Sequence, residues 1–222
     1  MAIKLTNRDC VEIHKAFPSL ECDYTTGQIS GRLRFASSYL QKNNDLQHAY
    51  KNKAVRSRLN FIEDNYRVQI LVNDLDNFGA PKVYDKSGRI NDFSIKSRTT
   101  LEDLHMYSKE QCCVGILVKY KWRGAARFIV DTVIPFFYWQ SHRANFGHQP
   151  WRCLSHGIKG LCESINFSER DFRNNHDIFS KCPCGQGGIY KNCCMKNHLN
   201  LQKIALNSAP PSNRAQSNKY HT

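Results

Sequence analysis

Two kinds of hydrophobic pattern alternate along this chain, and the change between them orders its elements. Thr6-Asn7-Arg8-Asp9 supplies capping residues ahead of Val11, Ile13 and His14, which predicts a first helix to about Ala16, stopped by Pro18. From Gln28 to Leu40 the pattern turns β-like through Ile29, Leu33, Phe35 and Tyr39, with Gly27 and Gly31 as breakers. Gln41 to Arg58 is polar and charged and reads as an exposed insertion or loop. Tyr66 to Asn73 alternates as a strand does, Asp76 to Pro81 reads as a turn, Lys82 to Tyr84 as a further strand, and Asp85 to Gly88 as another turn. Val114 to Tyr120 predicts one more short strand.

Helical periodicity then returns. Ala125 to about Ala144 carries Phe128, Ile129, Val133, Phe136, Phe137, Tyr138 and Trp139. Pro135 inside it either kinks the helix or sits in the first turn of one restarting near Asp131-Thr132, where its missing donor costs little. Gly157 to Phe167 reads as another helix, and the polar residues 199–222, with Pro210-Pro211, as a disordered basic tail. Helix, strands, loop, helices is the order of an α+β fold with an antiparallel sheet flanked by helices, not of alternating βαβ units. Its 222 residues suit one ordinary domain and a small appendage. The expected division is 1–170, a small separate module at 178–198, and the tail at 199–222.

Composition adds three constraints. No run approaches the roughly 20 apolar residues of a membrane span. The first residues, Met-Ala-Ile-Lys-Leu-Thr-Asn-Arg-Asp, lack the apolar core of a secretion signal, so the expected location is cytoplasmic. The net charge of +13 is uneven: residues 61–120 hold 8 basic and 9 acidic side chains, whereas 181–222 hold 6 basic and none acidic. Basic ends suit an acidic protein partner or nucleic acid, or simply keep the chain in solution.

Candidate chemistry concentrates in two of the cysteine groups. Cys182-Pro183-Cys184 and Cys193-Cys194 bring four soft sulfurs onto two tight elements, and Gly185, Gly187 and Gly188 permit the reversal between them. Four thiolates in a closed tetrahedral shell select a structural zinc ion. His198 is a substitute ligand should Cys194 point away. The pattern resembles the SEC-C motif of the SecA translocation motor's tail, in which such a module is associated with partner binding.

The second group is Cys112-Cys113, seven and eight positions after His105. A cysteine becomes a nucleophile as its thiolate, in a partly exposed site. The bland alternative is a buried, unreactive pair. Asp103 reads as a solvated loop carboxylate or as a group orienting His105. Tyr138, Trp139 and Trp151 read as core or as contacts for a bound peptide. Ser155-His156 lacks a visible third member for acid–base work.

Gly27 and Gly31, Gly88-Arg89-Ile90, His105 and Tyr107, Cys113-Val114, Val133-Ile134-Pro135-Phe136-Phe137-Tyr138-Trp139-Gln140-Ser141, Pro150-Trp151 and Ser155-His156-Gly157 follow one another in an order that resembles the ubiquitin-conjugating (UBC) fold. More narrowly, it is similar to the bacterial UBC-like proteins of cyclic-oligonucleotide antiphage systems (CBASS), over roughly residues 8–168. The resemblance implies that Cys113 forms a thioester with the C-terminal carboxyl of a partner cyclic-nucleotide synthase, with His105 shaping the loop. It also implies a departure: eukaryotic conjugating enzymes place His-Pro-Asn before the cysteine, and no asparagine follows His105 here. Two other readings stand beside it. One is a catalytically silent UBC-like scaffold. The other is a zinc-dependent adaptor for a protein or nucleic acid, which ranks last because the aromatic–basic interleaving of single-strand binders is thin.

Overall fold

The computed structural model describes residues 3–43, 45–76, 78–115, 122–155 and 157–208, the side chains of 207 and 208 excepted. They divide into two compact units: 3–76, 81–115 and 122–152 in the first, 78–80 and 153–208 in the second. The fold is α+β, with an antiparallel sheet flanked by helices.

The first unit opens on helix α1 (Asn7–Ala16), closed by a capping box in which Thr6 and Asp9 exchange side-chain and backbone bonds. The Asp9 carboxylate also accepts the Ala125 N–H at 2.9 Å, so one side chain caps two helices. Strand β1 (Leu20–Asp23) follows, tied to α1 by a Cys10–Cys22 disulfide that the sequence pattern did not announce. Strands β2 (Gln28–Leu40), β3 (Asp45–His48), β4 (Phe61–Leu75), β5 (Pro81–Asp85) and β6 (Gln111–Cys112) complete the sheet. Its order is β1-β2-β4-β5-β6, with β3 also on β2, and every pairing is antiparallel.

Three sequence expectations need correction here. Gly31 does not break β2 but lies inside it, because a Cβ there would stand 2.4 Å from the Ser19 carbonyl oxygen. Gln41–Arg58 is not a plain exposed loop. It contains β3 and 3₁₀ turns at Gln41–Asn43 and Lys53–Ser57, and it buries Val55, Ala49 and His48. A helix not foreseen, α2 (Arg89–Ser97), starts after Gly88, and the Asp85 carboxylate accepts the Ile90 N–H at 3.1 Å.

Helix α3 (Ala125–Phe128), a π-helical turn (Ile129–Val133) and α4 (Ile134–Phe146) run on from one another. The helix does not restart near Asp131-Thr132, which lie in the π turn; Pro135 follows as the second residue of α4, and the wide turn absorbs its missing N–H. Tyr138 and Trp139 are core. The Tyr138 hydroxyl donates to the Asn60 carbonyl at 2.7 Å and accepts the Tyr39 N–H at 3.1 Å, and the Trp151 ring stacks parallel to Tyr138 with centroids 5.9 Å apart. The expected strand at Val114–Tyr120 lies mostly outside the described residues, and its first two positions are not in a strand.

The second unit packs α5 (Gly157–Ile165), α6 (Glu169–Arg173), a cysteine-bearing loop and α7 (Met195–Ser208) around Leu161, Phe167, Phe172, Tyr190 and Leu201. Helix α7 corrects the reading of 199–208 as disordered, since Leu201 is fully buried there. Residues 209–222 lie outside the described residues. No described helix is long and apolar enough to cross a membrane.

Candidate catalytic cysteine and candidate metal centre

Strand alternation separates the two vicinal cysteines. Cys112 ends β6 opposite Val83 and turns its sulfur inward, where it is buried. Cys113 is the next residue and stays partly exposed. Its N–H donates to the His105 carbonyl at 2.7 Å, which closes the loop between them. His105 takes a left-handed backbone (φ 52°) after the 3₁₀ turn Glu102–Leu104, and its ring meets Trp139 edge-on at 5.5 Å. Helix α4 holds this loop through two side chains. Gln140 donates to the Leu104 carbonyl at 2.6 Å, and Arg143 donates to the Asp103 carbonyl at 2.8 Å while lying over Trp139.

Asp103 serves a local turn, accepting the Thr100 hydroxyl at 2.7 Å. Ser155 donates its N–H and hydroxyl to the Glu163 carboxylate at 2.8 and 2.7 Å, and His156 lies outside the described residues.

The group at the sulfur that sequence reading left without a role is Tyr107. Its hydroxyl lies within hydrogen-bonding reach of the Cys113 sulfur and 3.4 Å from the Asp76 carboxylate, and its single proton can serve either acceptor. The position was visible in the sequence, but nothing there joins Asp76 to a cysteine 37 residues later. Burial pushes the Cys113 thiol above its ordinary value, and the Asp76 charge adds to that; the Tyr107 hydroxyl and the Gly115 N–H pull the other way. Burial, then the neighbouring Cys113 and Asp76 charges, raises the Tyr107 hydroxyl far above its ordinary value, so it remains a donor. Burial, with Asp85, holds the Cys112 thiol well above the ordinary range, which makes it the inert member of the pair.

In the second unit the sulfurs of Cys182, Cys184, Cys193 and Cys194 all lie within 4.8 Å of one another, a set that can hold a metal ion. Cys184 and Cys193 are 3.5 Å apart and Cys193 and Cys194 3.7 Å. A tetrahedral shell with metal–sulfur bonds of about 2.3 Å needs sulfurs about 3.8 Å apart, so the donor set fits such an ion. The loop closes where Cys182 N–H donates to the Gly188 carbonyl at 2.8 Å, and Gly185 and Gly187 take φ values of 77° and 80° that a side chain would resist. The Gln186 N–H holds the Cys184 thiol below its ordinary value, whereas burial and the other sulfurs push Cys194 up.

His198 is not a substitute ligand. Its Nε2 donates to the Phe172 carbonyl and its Nδ1 accepts from the Tyr190 hydroxyl, both at 2.7 Å, which occupies both ring nitrogens. Cys194 joins the cluster itself. Comparison of the chain with protein-family models, curated proteins and solved structures found no match.

Proposed function

We propose that this chain is a ubiquitin-conjugating-like protein of an antiphage system, which takes the C-terminal carboxyl of a partner cyclic-nucleotide synthase as a thioester on Cys113. The observation that carries the reading is the division of labour at the vicinal pair. Cys113 is partly exposed with a hydroxyl bonded to its sulfur, while Cys112 is sealed. The succession of N-terminal helix, antiparallel meander, cysteine loop and helices supports the UBC likeness.

In the reaction, the Cys113 thiolate attacks an activated carboxyl, the C–S bond forms, and the activating group departs with the electron pair of its bond. A separate activating protein supplies that group. Because no asparagine lies between His105 and Cys113, the Tyr107 hydroxyl, turning its one proton from the Asp76 carboxylate to the sulfur, takes the part of the donor that steadies first the thiolate and then the oxyanion. His105 shapes the loop through its backbone carbonyl. Cys182, Cys184, Cys193 and Cys194 would hold a zinc ion whose chemistry is to cross-link the loop.

Incubation with the synthase and its activating partner should give an adduct that thiols release. Cys113→Ala should abolish it and Cys112→Ala should keep it. One observation favours a second reading, a silent scaffold: burial keeps the Cys113 thiol protonated at neutral pH. Synthase binding that survives Cys113→Ala, with no adduct from the unaltered chain, would select the scaffold.

A further inference from the structure

The chain from Leu46 to Ile62 holds Lys51, Lys53, Arg56 and Arg58 and no Asp or Glu. Its loop between β3 and β4 is anchored. Val55 is fully buried, and His48, also buried, bonds Ser37 at 2.8 Å. Asn52 accepts the Ala54 N–H at 3.0 Å, and the Ser57 hydroxyl donates to the Ala54 carbonyl at 2.9 Å. At the neck, Arg58 Nη2 donates to the Gln47 side-chain oxygen at 2.9 Å. A backbone fixed in this way presents its outward side chains with little left to order on binding.

What faces outward is mixed. Tyr50 is 64% exposed and Leu59 100%, among exposed Lys51, Lys53 and Arg56. A single exposed leucine is ordinary; this one stands at the foot of a pinned loop whose own charges are all positive, with Asp45 and Glu63 flanking it. Arg56 is partly neutralised by Glu63 at 2.9 Å, whereas Lys51 and Lys53 have no ion pair among the described residues.

We propose that this loop is a docking surface for an acidic protein segment that carries an apolar side chain. Carboxylates meet Lys51 and Lys53, and the apolar group packs on Leu59. Single-stranded nucleic acid fits less well. Tyr50 stacks on His48 with centroids 5.2 Å apart and planes at 14°, and the Lys51 ammonium lies 5.6 Å from its ring centre, so its face is not free for a base. Leu59 offers a phosphate backbone nothing. The proposal stands independently of the Cys113 chemistry.

The test is fluorescence anisotropy on the full chain, with a labelled dodecapeptide alternating Glu-Asp and Leu-Phe pairs. A peptide with Ser for every Leu and Phe, and a dodecamer of oligouridine, serve as competitors. Binding of the apolar acidic peptide should weaken about tenfold in the Lys51→Glu/Lys53→Glu variant and about tenfold in Leu59→Ser. The Ser peptide should bind the unaltered chain about as weakly as the first peptide binds Leu59→Ser. Both variants change exposed side chains, and an unchanged rate of Cys113 alkylation verifies that the fold is intact. Absence of peptide binding, binding indifferent to both variants, or preferential capture of oligouridine would each overturn the proposal.

Discussion

At the residue scale, the account turns on one sulfur and the hydroxyl beside it. Burial raises the Cys113 thiol, so little thiolate exists at neutral pH and its reactivity should climb as pH rises through and beyond the ordinary cysteine range. Iodoacetamide labelling followed by peptide mapping, run from pH 6 to 10, should show that climb at Cys113 with Cys112 unlabelled throughout. A flat profile, or equal labelling of both, would contradict it. Tyr107→Phe removes the donor that favours the thiolate. It should push the titration upward and slow labelling at pH 8 by about fivefold, the worth of one hydrogen bond of about 1 kcal/mol. The candidate cysteine was legible because the cysteine pair, the histidine and the following apolar residue lie close in sequence. Tyr107 could not be given its role from sequence, because the role comes from distances: to Cys113 across the loop and to Asp76 from another part of the chain.

At the element scale, long periodic segments were readable and short ones were not. Helix α1 and strand β2 start and stop where their caps, proline and alternation place them, and the π turn before Pro135 follows from the missing donor. Helix α2 escaped notice because its start depends on Asp85, a strand residue that caps it from outside. The 41–58 segment misled because its polar composition conceals one anchor, Val55, buried by tertiary packing alone. Asp9 offers an element-scale test. Asp9→Ala uncaps α1 and α3 together and should cost about 2 kcal/mol in denaturant unfolding, at the upper end of a cap's worth. Arg8→Ala, at an exposed i,i+4 pair, should cost less than about 0.5 kcal/mol.

At the scale of the whole molecule, the two units depend on different cohesive forces. The first rests on a sheet and the aromatic face of α4. The second is small, and its core includes two of the clustered cysteines themselves. Protein purified reduced and without chelator should carry one zinc ion per chain by elemental analysis. Stripping it should unfold the second unit, seen as loss of amide protection over α5 to α7, and leave the first protected. Retained protection in α7 after complete removal would show that the cluster is not what holds that unit. The four-cysteine set was legible from spacing and glycines. The surrounding helices, α6 and α7, were not, since short polar-faced helices take their stability from the core they close.

The most direct measurement is intact-mass spectrometry of this chain mixed with its synthase and activating partner, before and after dithiothreitol. The account predicts a covalent species equal to the two chains less one water, released when the dithiothreitol thiol takes over the acyl group, and absent in Cys113→Ala. A species that resists the thiol, or one that persists without the Cys113 sulfur, would contradict it.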